Sequence, residues 1–186
     1  MKSIAAGLCI GLGCDVFLAV ENPYIRVLMF CMALTFICLK GYNLYTGKAG
    51  YLGSKEASFL KLGFILMGNI LGLALNAVVL KIARPDLVAA ATSLMESKLA
   101  NSGWQWFWRS YFCGILMYYA VSLYKEHKSI VPILFGVSAF LLCGFEHSIA
   151  NIGYLLISGV TWKGLGFAAV CIIGNLIGSL NARALD

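Results

Sequence analysis

Charge is scarce in this chain. Only 12% of its 186 residues are Asp, Glu, Lys or Arg, and 61% are apolar, whereas a soluble domain carries about 25% charged residues. Mean hydropathy is +0.86, so the composition is that of an integral membrane protein. Histidine is limited to two positions, and with only isolated carboxylates beside them the ligands for a metal centre are lacking. No nucleophile stands next to a base, which argues against an enzyme, and nothing suggests a cofactor. The seven cysteines include no Cys-x-x-Cys pair. Odd in number and set in apolar runs, they read as small packing residues with reduced thiols, not as a disulfide or metal framework. Basic residues are scattered along the chain, which excludes a nucleic-acid surface. A cleavable signal pattern is also missing, since the apolar stretch after Lys2 runs on to Val20.

What is present is a succession of apolar runs. About 20 helical residues cross a bilayer core, and the expected spans are residues 3–20, 24–39, 59–82, 104–124, 130–158 and 164–180. The second is short and ends in Lys40-Gly41-Tyr42-Asn43-Leu44-Tyr45-Thr46-Gly47-Lys48, which reads as a helix broken inside the membrane. The fifth is interrupted over residues 144–151. Residues 87–103 read as an interfacial helix on the outer face. Trp104, Trp106, Phe107, Trp108, Tyr111 and Phe112 open the fourth span like an interfacial aromatic belt.

The halves echo each other. Gly41-Tyr42-Asn43 mirrors Gly144-Phe145-Glu146, and Gly68-Asn69-Ile70-Leu71-Gly72 mirrors Gly174-Asn175-Leu176-Ile177-Gly178. Three spans per half force opposite insertion, so the expected fold is all-α, with six transmembrane helices in two inverted three-helix repeats (about 1–86 and 104–186) of one channel domain, 1–186. Interrupted helices at matching places in two repeats point to a permeation site. The distribution of Lys and Arg mildly favours both termini in the cytoplasm.

Leu142-Cys143-Gly144-Phe145-Glu146-His147-Ser148-Ile149-Ala150-Asn151 sets ionisable groups within an apolar span, where a charge costs about 2.5–3.5 kcal/mol. His147 exchanges a proton near neutral pH in its free form; it is either a pore residue or a core histidine bonded to Glu146 or Asn151. Glu146 is expected to be protonated or hydrogen-bonded by the opposite loop, holding the break together more than touching substrate. Asn151 is expected to cap the resumed helix. Thr46, in the partner break, either donates to an anion or to His147, or satisfies its own turn. Lys98 is either a solvated loop lysine or an attractor of anions at a mouth. Lys40 either lines a pore or snorkels outward. Phe30, Leu34 and Phe140 are core or lipid-facing, or else form constrictions that exclude hydrated ions.

The Gly144–Asn151 motif, Leu44-Tyr45-Thr46-Gly47, the Gly-Asn-x-x-Gly of the third span and Cys113-Gly114-Ile115-Leu116 together resemble the formate/nitrite transporter family across nearly all six spans. The resemblance implies an aquaporin-shaped protomer, a homopentamer with one pore per protomer, and a cell inner (plasma) membrane location. It places His147 as the central pore histidine, Thr46 as the loop threonine, Lys98 as the vestibule lysine, and Phe30, Leu34 and Phe140 at the constrictions. Its substrates would be small anions or their weak acids (formate, nitrite, hydrosulfide or similar), protonated near the histidine before crossing the apolar constrictions. Three departures stand out. The long N-terminal cytoplasmic helix of many relatives has no counterpart, so gating by it is not expected. Tyr118 stands where many relatives have asparagine, and Lys40 with Lys48 makes the loop unusually basic. Two other readings stay open. A neutral-solute facilitator of aquaporin type would need paired Asn-Pro-Ala boxes, and the only Asn-Pro, Asn22-Pro23, falls in a surface turn. A non-conducting assembly or sensor protein would keep the fold without permeation.

Overall fold

Helices account for most of the chain, because apolar segments with few prolines satisfy their backbone polar groups internally. The computed structural model describes residues 1–186. Its nine helices are α1 (Lys2–Ala19), α2 (Pro23–Lys40), α3 (Tyr45–Ala49), α4 (Phe59–Ala83), α5 (Asp86–Leu99), α6 (Gly103–His127), α7 (Val131–Leu142), α8 (Ser148–Ser158) and α9 (Trp162–Ala184). Four of them, α1, α2, α4 and α9, are long and apolar enough to cross a membrane. Local signals set the starts. Asn22 accepts from the Tyr24 and Ile25 amides with Pro23 in the first turn, and Ser102 with Gln105 makes a reciprocal capping box on α6.

α1 packs along α4, and α6 along α9. Glycine makes both approaches possible. A Cβ at Gly72 would lie 2.2 Å from the Ile4 carbonyl oxygen, and one at Gly178 2.0 Å from that of Tyr111. The GxxxG spacing in α4 and α9 thus serves close helix contact. Around these pairs α8 is the innermost element, with almost every residue buried. α5 packs against α8 through Leu87, Ala91 and Met95. All seven cysteines are free.

Both helix breaks are present and shorter than the sequence reading drew them. α2 stops at Lys40 and α3 begins at Tyr45; α7 stops at Leu142 and α8 begins at Ser148. Each stop has the same closure. Gly41 and Gly144 adopt left-handed φ of 61° and 66°, and the next amide reaches back five residues, Tyr42 to the Ile37 oxygen and Phe145 to the Phe140 oxygen. A Cβ at either glycine meets nothing within 4 Å, so only backbone strain opposes substitution. Gly41→Ala and Gly144→Ala should each cost about 1 kcal/mol, read as a lowered unfolding midpoint in detergent, with asparagine milder than alanine at both positions.

Candidate functional site

Each break is fastened by one asparagine. The Asn69 side chain of α4 accepts from the Tyr45 amide at 2.8 Å and donates to the carbonyls of Asn43 (2.9 Å) and Ser3 (2.8 Å). Asn175 of α9 accepts from the Ser148 amide at 2.8 Å and donates to Glu146 (2.9 Å) and Ser110 (2.7 Å). Both asparagines are 0% exposed. The amides of Asn43 and Glu146 are paired as well, to the carbonyls of Lys2 and Arg109. Non-helical backbone inside an apolar protein needs such partners, and here the same set occurs twice.

Between the breaks, Thr46 Oγ1 and His147 Nε2 lie 2.8 Å apart, with both residues buried. The Ala150 amide donates to His147 Nδ1 at 3.1 Å, so this nitrogen is an acceptor and carries no proton. The neutral ring therefore holds its proton on Nε2 and donates it to Thr46. That leaves the threonine hydroxyl proton available for another acceptor. His147 thus caps α8 with its own side chain, which corrects the expectation that Asn151 is the cap. The core-histidine alternative also fails in its detail, since the ring bonds Thr46 and not Glu146 or Asn151. Phe140 stacks on the imidazole, with centroids 5.5 Å apart and planes 14° from parallel.

Glu146 is 1% exposed. Its partner is not the opposite loop. Lys98, in the last turn of α5, donates to Oε2 at 2.5 Å, and Asn151 Nδ2 donates to the same oxygen at 3.0 Å. Lys98 is accordingly neither a loop residue nor fully solvated; 18% of its side chain is exposed, and an ammonium has further N–H groups to offer. Phe30 and Leu34 are buried at 1% and 2%, so they face the protein interior and not lipid. The Phe30 ring meets Phe17 edge-on at 6.3 Å. Lys40 is exposed at the end of α2 and stands apart from the other candidates.

A cavity of about 110 Å³ reaches Gly47, next in sequence to Thr46, and is lined by Leu34, Leu44, Lys48, Val121 and Lys125 among others. Leu44, Val121 and Lys125 were not singled out by sequence. Leu44 had a signal: it occupies in the first break the place His147 occupies in the second. Val121 and Lys125 belong to α6, and nothing local marks them. Lys48 and Lys125 both donate to Glu56, which removes part of the excess positive charge foreseen for this loop. Partial burial works against ionisation of Glu56, but bonds and charge from Lys125 and Lys48 outweigh it and hold the carboxyl at about 2. A carboxyl lowered below its ordinary value keeps its ion pairs above that value and loses them as pH falls through about 2. Tyr118, the residue noted as a departure, donates its hydroxyl to Asp186 at 2.8 Å.

This geometry belongs to a multi-pass helical membrane protein with a buried polar centre held between two interrupted helices. A family model described as formate/nitrite transporter matches residues 1–185, and the chain belongs to that family. Among its relatives, the nitrite transporter NirC of Escherichia coli (strain K12) is 28% identical over 196 residues, covering 94% of this chain and 72% of that protein. A probable formate transporter of Methanothermobacter thermautotrophicus is 26% identical over 187 residues, covering 81% and 68%. The fold matches a solved pentameric formate channel with formate bound at TM-score 0.81 and 18% identity, over 100% of this chain and 91% of that one. An FNT family ion channel matches at TM-score 0.78 and 20% identity, over 99% and 84%.

Proposed function

We propose that this protein is a membrane channel or transporter for small monovalent anions or their weak acids, with formate, nitrite and hydrosulfide as the substrate class. Six spans form two inverted repeats, α2 with α3 and α7 with α8 making the broken second and fifth spans, in a homopentamer of the plasma membrane with both termini cytoplasmic. The observation that carries this reading is the buried Thr46–His147 hydrogen bond between the two breaks. It puts an exchangeable proton where lipid-exposed backbone could not survive.

Lys98, held by Glu146 in a neutral pair, offers its remaining N–H groups to the anion and cancels a buried charge that would otherwise repel it. Phe30, Leu34 and Phe140 supply the apolar constrictions. A bare anion crosses such a passage at high cost, so a proton reaches it near the His147–Thr46 pair and the neutral acid passes. The threonine hydroxyl donates a hydrogen bond to the permeant while Nε2–H of the ring donates to the threonine oxygen. The proton that neutralises the anion comes from water at the vestibule, so the imidazole stays neutral throughout.

Proteoliposomes carrying the chain should pass formate and nitrite, with flux rising as external pH falls. His147→Phe keeps the ring stack on Phe140 but removes the polar link, and flux should fall by about tenfold or more, the scale of one buried hydrogen bond of about 1.5 kcal/mol. Equal flux from variant and wild type would remove the histidine from the mechanism. Silence of the folded wild type toward every small anion would overturn the reading itself.

A further inference from the structure

Two ammonium groups converge on one atom at the far end of the cavity. Lys48 Nζ lies 2.8 Å, and Lys125 Nζ 2.7 Å, from Oε2 of Glu56. They come from different elements, α3 and the last turn of α6, while Glu56 sits in the irregular segment between α3 and α4. Both lysines also line the cavity beside Gly47, next in sequence to Thr46, and Glu56 does not. Two cations against one carboxylate leave one positive charge in excess.

The site therefore already displays its ligand class, since its occupant is a carboxylate. That occupant is loosely held in energetic terms. The three side chains are 22%, 34% and 42% exposed, and exposed ion pairs contribute little net stability and weaken with salt. The lysines do not depend on it for their placement. Lys125 Nζ stands 3.6 Å over the centroid of Tyr51, a contact that positions an ammonium without neutralising it, and Lys48 is fixed within a helix next to the fastened break.

We propose that Lys48 and Lys125 form a second anion-binding site, for a small carboxylate or similarly shaped oxyanion, and that Glu56 is its tethered competitor. The site rests on the channel reading above and deepens it: an anion at the Lys48 mouth displaces Glu56 before it reaches Thr46. The Lys98 side has a different arrangement, because there the carboxylate is buried and does not exchange.

The test uses the full-length chain. Binding of 13C-formate to detergent-solubilised protein is followed by NMR line broadening, and formate flux is followed in vesicles. Glu56→Gln keeps shape and hydrogen bonding but removes the competing charge, and it should lower the half-saturating formate concentration by about threefold or more, the scale of one exposed ion pair. Glu56→Ala should do the same, and Lys48→Met with Lys125→Met added to Glu56→Gln should abolish the gain. Unchanged or weaker formate binding in both Glu56 variants would overturn the proposal, as would a gain that survives loss of both lysines. If wild type conducts and these variants bind like it, the site fails and the channel reading stands. If neither wild type nor any variant conducts but the order of binding is as expected, the site stands and the channel reading fails.

Discussion

Lys98→Met should lower the unfolding stability of the purified protein by about 3–5 kcal/mol, because it leaves the Glu146 carboxylate buried without its cation. The carboxylate is 1% exposed and keeps only the Asn151 amide as a side-chain partner. The cost arises from stranding a charge, so removing the charge as well should relieve it. Lys98→Met combined with Glu146→Gln is expected to recover most of the loss, since a neutral amide in the same place is desolvated far more cheaply. Chemical unfolding of the two variants in detergent checks this. A single variant no worse than the double would show that the Lys98–Glu146 ion pair is not what stabilises this end of the break.

Asn175→Leu should be about as damaging. The side chain satisfies one buried amide and two buried carbonyls, and each orphaned group costs about 1–3 kcal/mol. Leucine has the same branched heavy-atom shape and is no smaller, so the loss of about 3–9 kcal/mol reports unmet hydrogen bonds and not a cavity. Asn175→Asp should be no milder, because aspartate still accepts from Ser148 but sets a buried carboxylate oxygen against the Glu146 and Ser110 carbonyls. The same replacement at Asn69 should cost a similar amount through the first break. A mild Asn69→Leu beside a severe Asn175→Leu would show that the first break is held by something other than its asparagine.

Both breaks were legible in the sequence because they violate the pattern around them, with polar residues and glycine inside runs too short to span a bilayer. Their limits were less so. An asparagine at 151 has the character of a helix start, but the imidazole of His147 takes the Ala150 amide and the helix begins at Ser148. The partner of Glu146 was not visible, since Lys98 lies 48 residues away on a separate helix and its spacing from Glu146 follows no periodicity. Asn69 and Asn175 were noticed as echoes within a glycine motif; that their amides reach across to the breaks depends on how closely α1 meets α4 and α6 meets α9. The meeting of Lys48, Glu56 and Lys125 was equally hidden, because it joins three elements that only packing brings together.

The two fastenings bind main chain, not side chains, which leaves the residue at the centre of each turn unconstrained by them. Asn43-Leu44-Tyr45 and Glu146-His147-Ser148 share a backbone course and hydrogen-bond partners but not one side chain. The side chain at the centre of each turn is left out of the fastening, and it is an oily leucine in one break and an imidazole in the other. A substitution at position 44 should therefore change the chemistry facing the cavity while leaving the turn that displays it undisturbed.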